Sequence, residues 1–137
     1  ITRFPGSHAR PHLIQVNRSA NILLEDFLIR GSPFWNIHLF HSENVVVRRV
    51  DIYSHGHNTD GIDIDMTKNV IVENCIFDQG DDAVILKAAR NHDAWRLGRS
   101  TENVVVRHCT VRNGHVLMGA GSGLGTTEYT EYTEDEE

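Results

Sequence analysis

The chain reads as all-β: a parallel solenoid of about four to five short coils, incomplete at both ends. Two observations carry this reading. The first is a repeat: Asn21-Ile22-Leu23-Leu24, Asn44-Val45-Val46-Val47, Asn69-Val70-Ile71-Val72 and Asn103-Val104-Val105-Val106 all align on an Asn. Self-similarity at a fixed period is the signature of stacked units. The second is that each repeat continues to a further apolar pair: Phe27 and Ile29, Val50 and Ile52, Cys75 and Phe77, Cys109 and Val111. Period-2 alternation rich in β-branched residues is strand chemistry.

Taken in order, Ile1 to Pro11 is polar and loop-like, and the Asn repeats follow at intervals of 23, 25 and 34 residues. The last interval is lengthened by Ala88 to Thr101, a polar loop inserted into one repeat. A repeat of 23 residues leaves no room for a crossover helix beside two or three strands. Stacked turns of chain fit instead, with neighbouring strands about 4.8 Å apart and the Asn residues laddered at a bend. A β-sandwich would show more two-residue Asn-Gly or Asp-Gly hairpins and leaves the Asn register without a cause.

A second strand column follows the first. Ile37 and Leu39, Ile62 and Ile64, Val84 and Leu86, and Val116 and Met118 are expected to be equivalent, preceded by Trp35, Asp60, Asp82 and Gly114. Alternation raises a difficulty here. Asp60 shares parity with Ile62, and Asp82 with Val84, so both should point inward. A bend before Gly61 and Ala83 must turn them out, whereas Asp63 and Asp65 already have outward parity. The domain plan is therefore a solenoid segment over 1–122 and a tail over 123–137. That tail, ending TTEYTEYTEDEE, is acidic, repetitive and expected to be disordered. The solenoid reads as a piece of a longer one or a shortened one, because stacked coils need caps.

Composition narrows the function classes. At 137 residues the length suits one domain, and 39% apolar with 23% charged residues is ordinary for a globular protein. No apolar run approaches the roughly 20 residues that span a bilayer, so no membrane partner is expected. The net charge of -6 comes from Glu128, Glu131, Glu134, Asp135, Glu136 and Glu137; without them 13 acids face 13 bases. A neutral body gives no footprint for nucleic acid, and a monomer is expected. Cys75 and Cys109 are too few for a disulfide framework; sharing an inward column, they read as stacked thiols, at a spacing that also permits a bridge. His55-Gly56-His57 offers two imidazoles without a third ligand, so neither metal nor other cofactor is expected.

The chemistry lies in His57 to Lys87. Asn58-Thr59-Asp60-Gly61 is followed, 22 residues after Asp60, by Asp82 within Gly80-Asp81-Asp82-Ala83. Acids repeated at the coil period put carboxylates side by side, the tool for acid/base attack on a glycosidic bond. A single Asp would be read as a bend residue bonding nearby amides, and His115 alone as a solvated one. Three Asp residues in two ordered motifs ask for more.

HNTDGIDID, GDDAVILK and Asn113-Gly114-His115, in this order on Asn-Val repeats, resemble glycoside hydrolase family 28, which contains the polygalacturonases. Pro33-Phe34-Trp35-Asn36-Ile37-His38 resembles its upstream coil. The resemblance runs from about Arg10 to Gly119 and implies a right-handed parallel β-helix that hydrolyses α-1,4-linked galacturonan with inversion. By carry-over, Asp81 is the general acid, Asp60 and Asp82 activate water, and His115 holds the acid's protonation state and geometry. Asn58, Lys87 and Arg90 are expected to bind substrate; bases beside acids suit a carboxylate-bearing sugar such as polygalacturonate or pectin. The family also implies a secreted or periplasmic protein, although no leader is visible after Ile1. Two departures favour a rival, a catalytically inactive remnant that at most binds acidic oligosaccharide. Val116 stands where the motif has Gly, and the family's downstream Arg-x-Lys has no counterpart. A β-helix lyase or epimerase would instead use a basic residue or calcium on Asp63 and Asp65.

Overall fold

The structure, a computed structural model, describes residues 10–89, 94 and 96–121. Strands β1 (Ile14–Asn17), β3 (Ile37–Phe40), β5 (Ile62–Asp65), β8 (Val84–Lys87) and β11 (Met118–Ala120) stack into one five-stranded sheet. The second sheet holds β2 (Ala20–Arg30), β4 (Glu43–Ser54), β6 (Lys68–Glu73), β7 (Ile76–Gln79), β9 (Glu102–Arg107) and β10 (Thr110–Asn113). Within it β4 pairs along its length with β2, and on its other side with β6 and then β7. Every pairing among the described residues is parallel. One coil is thus a short strand of the first sheet, a corner, and a long or broken strand of the second. This is a parallel β-helix.

The corners explain why the sequence repeats as it does. Arg18, His41, Met66 and Ala89 end the short strands at φ between 48° and 54°. Asn21, Asn44, Asn69 and Asn103 follow at 54° to 58°. Asp26, Arg49, Asn74 and His108 bend the long strands in the middle at 50° to 59°. Left-handed backbone is uncommon outside glycine and is best tolerated by Asn and Asp, which is why one corner is written in Asn four times. There the side chains form the expected ladder: Asn44 Nδ2 donates to Asn21 Oδ1 at 3.1 Å, Asn69 to Asn44 and Asn103 to Asn69 at 3.0 Å.

Inside, columns of apolar side chains fill the coil. Ile37, Leu39, Val45, Val47, Val50, Ile62, Ile64, Val70, Val72, Phe77 and Val84 are fully shielded. Alternation sends Leu23, Val46, Ile71 and Val105 outward from the second sheet, one per coil. Cys75 and Cys109 are free thiols on successive coils. Hydrogen bonding between the two thiols pushes Cys109 down to about 7 and Cys75 upward.

One alignment is corrected. Met118 pairs with Val84 and Ala120 with Leu86, so the last short strand starts two residues later than the sequence pattern suggests. The pairing of β10 slips between Val111 and Asn113, a bulge that apolar periodicity does not register. Val116, not Gly114, therefore occupies the column of Asp60 and Asp82.

Candidate active site

The acidic residues sit at the N-terminal mouth of the short-strand sheet. The expected bend before Gly61 is present, and hydrogen bonds build it. Ser54 Oγ donates to Asn36 Oδ1 at 2.7 Å, and Asn36 Nδ2 donates to Asp60 O at 2.8 Å. The Thr59 hydroxyl donates to Ser54 O at 2.6 Å and receives the Gly80 N–H at 3.0 Å. Thr59 thus locks the first motif against the second. Gly61 is required by space: a Cβ there would lie 2.4 Å from Ala83 O and 2.7 Å from the Phe77 ring. Asp60 is thus held at its carbonyl by Asn36 and followed by a glycine packed against Ala83 and Phe77.

Three predicted residues converge directly. His115 Nδ1 lies 3.1 Å from Asp81 Oδ1 and 3.9 Å from Asp82 Oδ1. The corrected register explains the first contact, because the His115 N–H donates to Asp81 O at 3.0 Å and so sets the two residues abreast. Gly114 reaches this point at φ 149°, and a Cβ there would meet Gln79 Nε2 at 2.6 Å. The Asp82 N–H donates to Asp81 Oδ1 at 3.0 Å, fixing that carboxyl from the other side. Asp81, Asp82 and His115 each bring one ligand atom within 4.8 Å of the others, a set that could hold a cation as well as handle protons.

Asp60 lies beneath these three, 6% exposed, with Oδ1 buried and unpartnered. Burial, then the neighbouring Asp81 charge, pushes its carboxyl up to about 6. Asp82 is raised for the same two reasons. A folded pKa above the unfolded value means stability present below about 4 and lost as pH rises through about 6. Asp60→Asn should therefore be more stable than the parent chain at pH 7, by up to about 3 kcal/mol, with the gap closing by pH 3. Denaturant melts at the two pH values check this, and an equal or lower stability at pH 7 would contradict it.

The expected substrate-binding residues fare differently. Asn58 Oδ1 accepts from Arg10 Nη2 at 3.0 Å, and the same guanidinium bonds Pro33 O and His57 O, so Asn58 is part of a clamp between coils. Lys87 Nζ stands 3.5 Å from Asp63 Oδ1, 3.3 Å from Gly121 O and 4.8 Å from the Trp35 ring centroid. At 3.5 Å the lysine attracts Asp63 without a good hydrogen bond, and both Asp63 oxygens are buried without partners. Burial pushes the Asp63 carboxyl well above the carboxylate range. Arg90 lies outside the described residues.

Sequence reasoning missed the aromatic wall beside the acids. His12 stacks on Trp35 at 4.8 Å and Trp35 on Phe34 at 5.0 Å, while His38 meets Trp35 edge-on and sits 3.5 Å from Asp65. Burial and His38 lower His12 to about 4. The available signal was the place of Trp35 in the Asp60 column.

The family model for glycosyl hydrolases family 28 matches residues 3–130. The chain belongs to that family. A probable polygalacturonase of Vitis vinifera is 33% identical over 79% of this chain and 23% of its own length. An exo-poly-alpha-D-galacturonosidase of Dickeya chrysanthemi is 29% identical over 93% of this chain and 21% of its own. Among solved structures, the hyperthermoactive exopolygalacturonase of Thermotoga maritima superposes with TM-score 0.81 at 39% identity, covering 84% of this chain and 26% of that one. A Yersinia enterocolitica family 28 exopolygalacturonase gives 0.70 at 27% identity, over 76% and 18%. The fold is the right-handed parallel β-helix that the motifs imply. The family 28 chain spans about a quarter of the length of these relatives.

Proposed function

We propose that this family 28 chain carries the acid/base centre of an inverting hydrolase of α-1,4-linked polygalacturonate. The observation that supports the reading is the meeting of Asp81, Asp82 and His115 on adjacent coils, with Asp60 buried beside them and electrically coupled to Asp81 and Asp82. Asp81, hydrogen-bonded to His115, protonates the leaving oxygen. Asp60 and Asp82 withdraw a proton from water that attacks the opposite face of the sugar. Close carboxylates cannot all ionise freely, so the cluster retains a proton at a pH where isolated acids have lost theirs. The base role needs Asp60 ionised, so kcat/KM should fall as pH drops through about 6. The names of the curated relatives and solved structures support the substrate class. The same reading carries a secreted or periplasmic protein acting as a monomer.

The test is release of reducing ends from polygalacturonate by the purified, folded chain. Release supports the hydrolase. A folded chain that binds oligogalacturonate without cleaving it supports the binding-remnant reading, which Val116 after His115 favours.

A further inference from the structure

At the far end of the short strands, Arg18, Ser19, Ala20, His41, Glu43 and Arg99 line a cavity of about 320 Å³. Its position follows from the corner geometry. Arg18 and His41 occupy equivalent left-handed positions, φ 48° and 51°, on successive coils. Their N–H groups are tied to Phe40 O and Asp65 O, both at 2.9 Å. Arg99 arrives from the segment inserted after β8. Its Nη2 donates to Ser42 O at 2.9 Å and touches Glu43 only at 3.5 Å.

The charge here is not balanced. Two guanidinium groups stand beside one carboxylate, that of Glu43. Among the described residues Arg18 has no ion-pair or hydrogen-bond partner for its side chain, and Arg99 Nε is buried without one. A guanidinium has five donors in a planar fork matched to carboxylates, and Arg99 uses only one nitrogen. Ala20 adds an apolar wall of the kind a sugar ring can lie against.

We propose that this corner cavity is an anion subsite that receives the carboxylate of an acidic sugar between Arg18 and Arg99. The assignment rests on the polygalacturonate reading for the source of the carboxylate. The cavity lies across the sheet from Asp60, roughly 20 Å away at about 3.3 Å per strand residue. A polymer with one carboxylate per sugar can engage both places at once.

The experiment is an NMR titration of the folded chain, following the Arg18 and Arg99 side-chain Nε–H signals and the Ala20 amide. Digalacturonate should shift all three saturably, uncharged digalactose should not, and added NaCl should weaken the effect. Charge-assisted hydrogen bonds contribute about 1.5–3 kcal/mol, so Arg18→Gln should weaken binding at this corner at least about tenfold. Arg99→Lys, which keeps the charge and loses the fork, should weaken it less. Unchanged affinity in Arg18→Gln, or equal shifts with digalactose, would overturn the proposal. Acetate competing as well as digalacturonate would reduce the cavity to an unspecific anion site and also overturn it. The two readings fail separately. Corner shifts without polygalacturonate hydrolysis would sink the hydrolase alone, and hydrolysis without corner shifts would sink the subsite alone.

Discussion

Asp81→Asn is expected to slow hydrolysis of polygalacturonate by about 10²–10⁴-fold, the range lost when a general acid is removed. The substitution is nearly isosteric, and Asp81 lies at the surface of the cluster rather than under it, so folding should be little affected. Its Oδ1 can still accept the Asp82 N–H, while the amide can no longer deliver a proton. The loss should therefore appear in kcat, with KM nearly unchanged. Initial rates with the parent and variant chains decide the matter. Undiminished turnover would remove Asp81 as the acid and with it the assignment of His115 as its partner.

Phe77→Ala is expected to destabilise the fold by about 3–5 kcal/mol, the range for deleting a buried aromatic ring. Phe77 is fully shielded and stacks in one column with Ile52 and Val111. Its ring also fills the space against Gly61, where any added Cβ would be only 2.7 Å away. Removing the ring opens a cavity directly beneath the bend that holds Asp60. Some activity should be lost even at temperatures where the variant remains folded. Equilibrium denaturation measures the first effect; a loss under about 1 kcal/mol would show that the coil collapses to refill the space.

Those two residues show what the sequence makes legible. Phe77 is visible as core because it alternates with Cys75 in a repeat whose corner Asn recurs four times, and the ladder observed at that corner is the one the repeat requires. The bend at Gly61 is visible as a possibility because Gly permits it, but the expected outward turn of Asp60 is not realised: the residue stays 6% exposed, as parity alone would have it. The meeting of His115 with Asp81 is the one the motifs imply. The last short strand, however, starts two residues later than its apolar pattern suggests, because a bulge near Asn113 adds residues without changing that pattern. Lys87 is a different case. Its type and place suit a substrate carboxylate, but Asp63 and Trp35, 24 and 52 residues earlier, reach the same ammonium. Such pairings depend on which side chains meet across coils, and no local spacing records them. Arg10 gripping Asn58 and Trp35 stacking on His12 were hidden for the same reason.

The central claim is that acids on adjacent coils activate water on one face of the sugar while Asp81 protonates the other. The configuration of the first product tests it most directly. Proton NMR of polygalacturonate during early hydrolysis, before mutarotation mixes the anomers, should show the β-anomer appearing first at the new reducing end. An α-anomer appearing first would mean retention, with one of these carboxylates acting as a nucleophile, and would contradict the account.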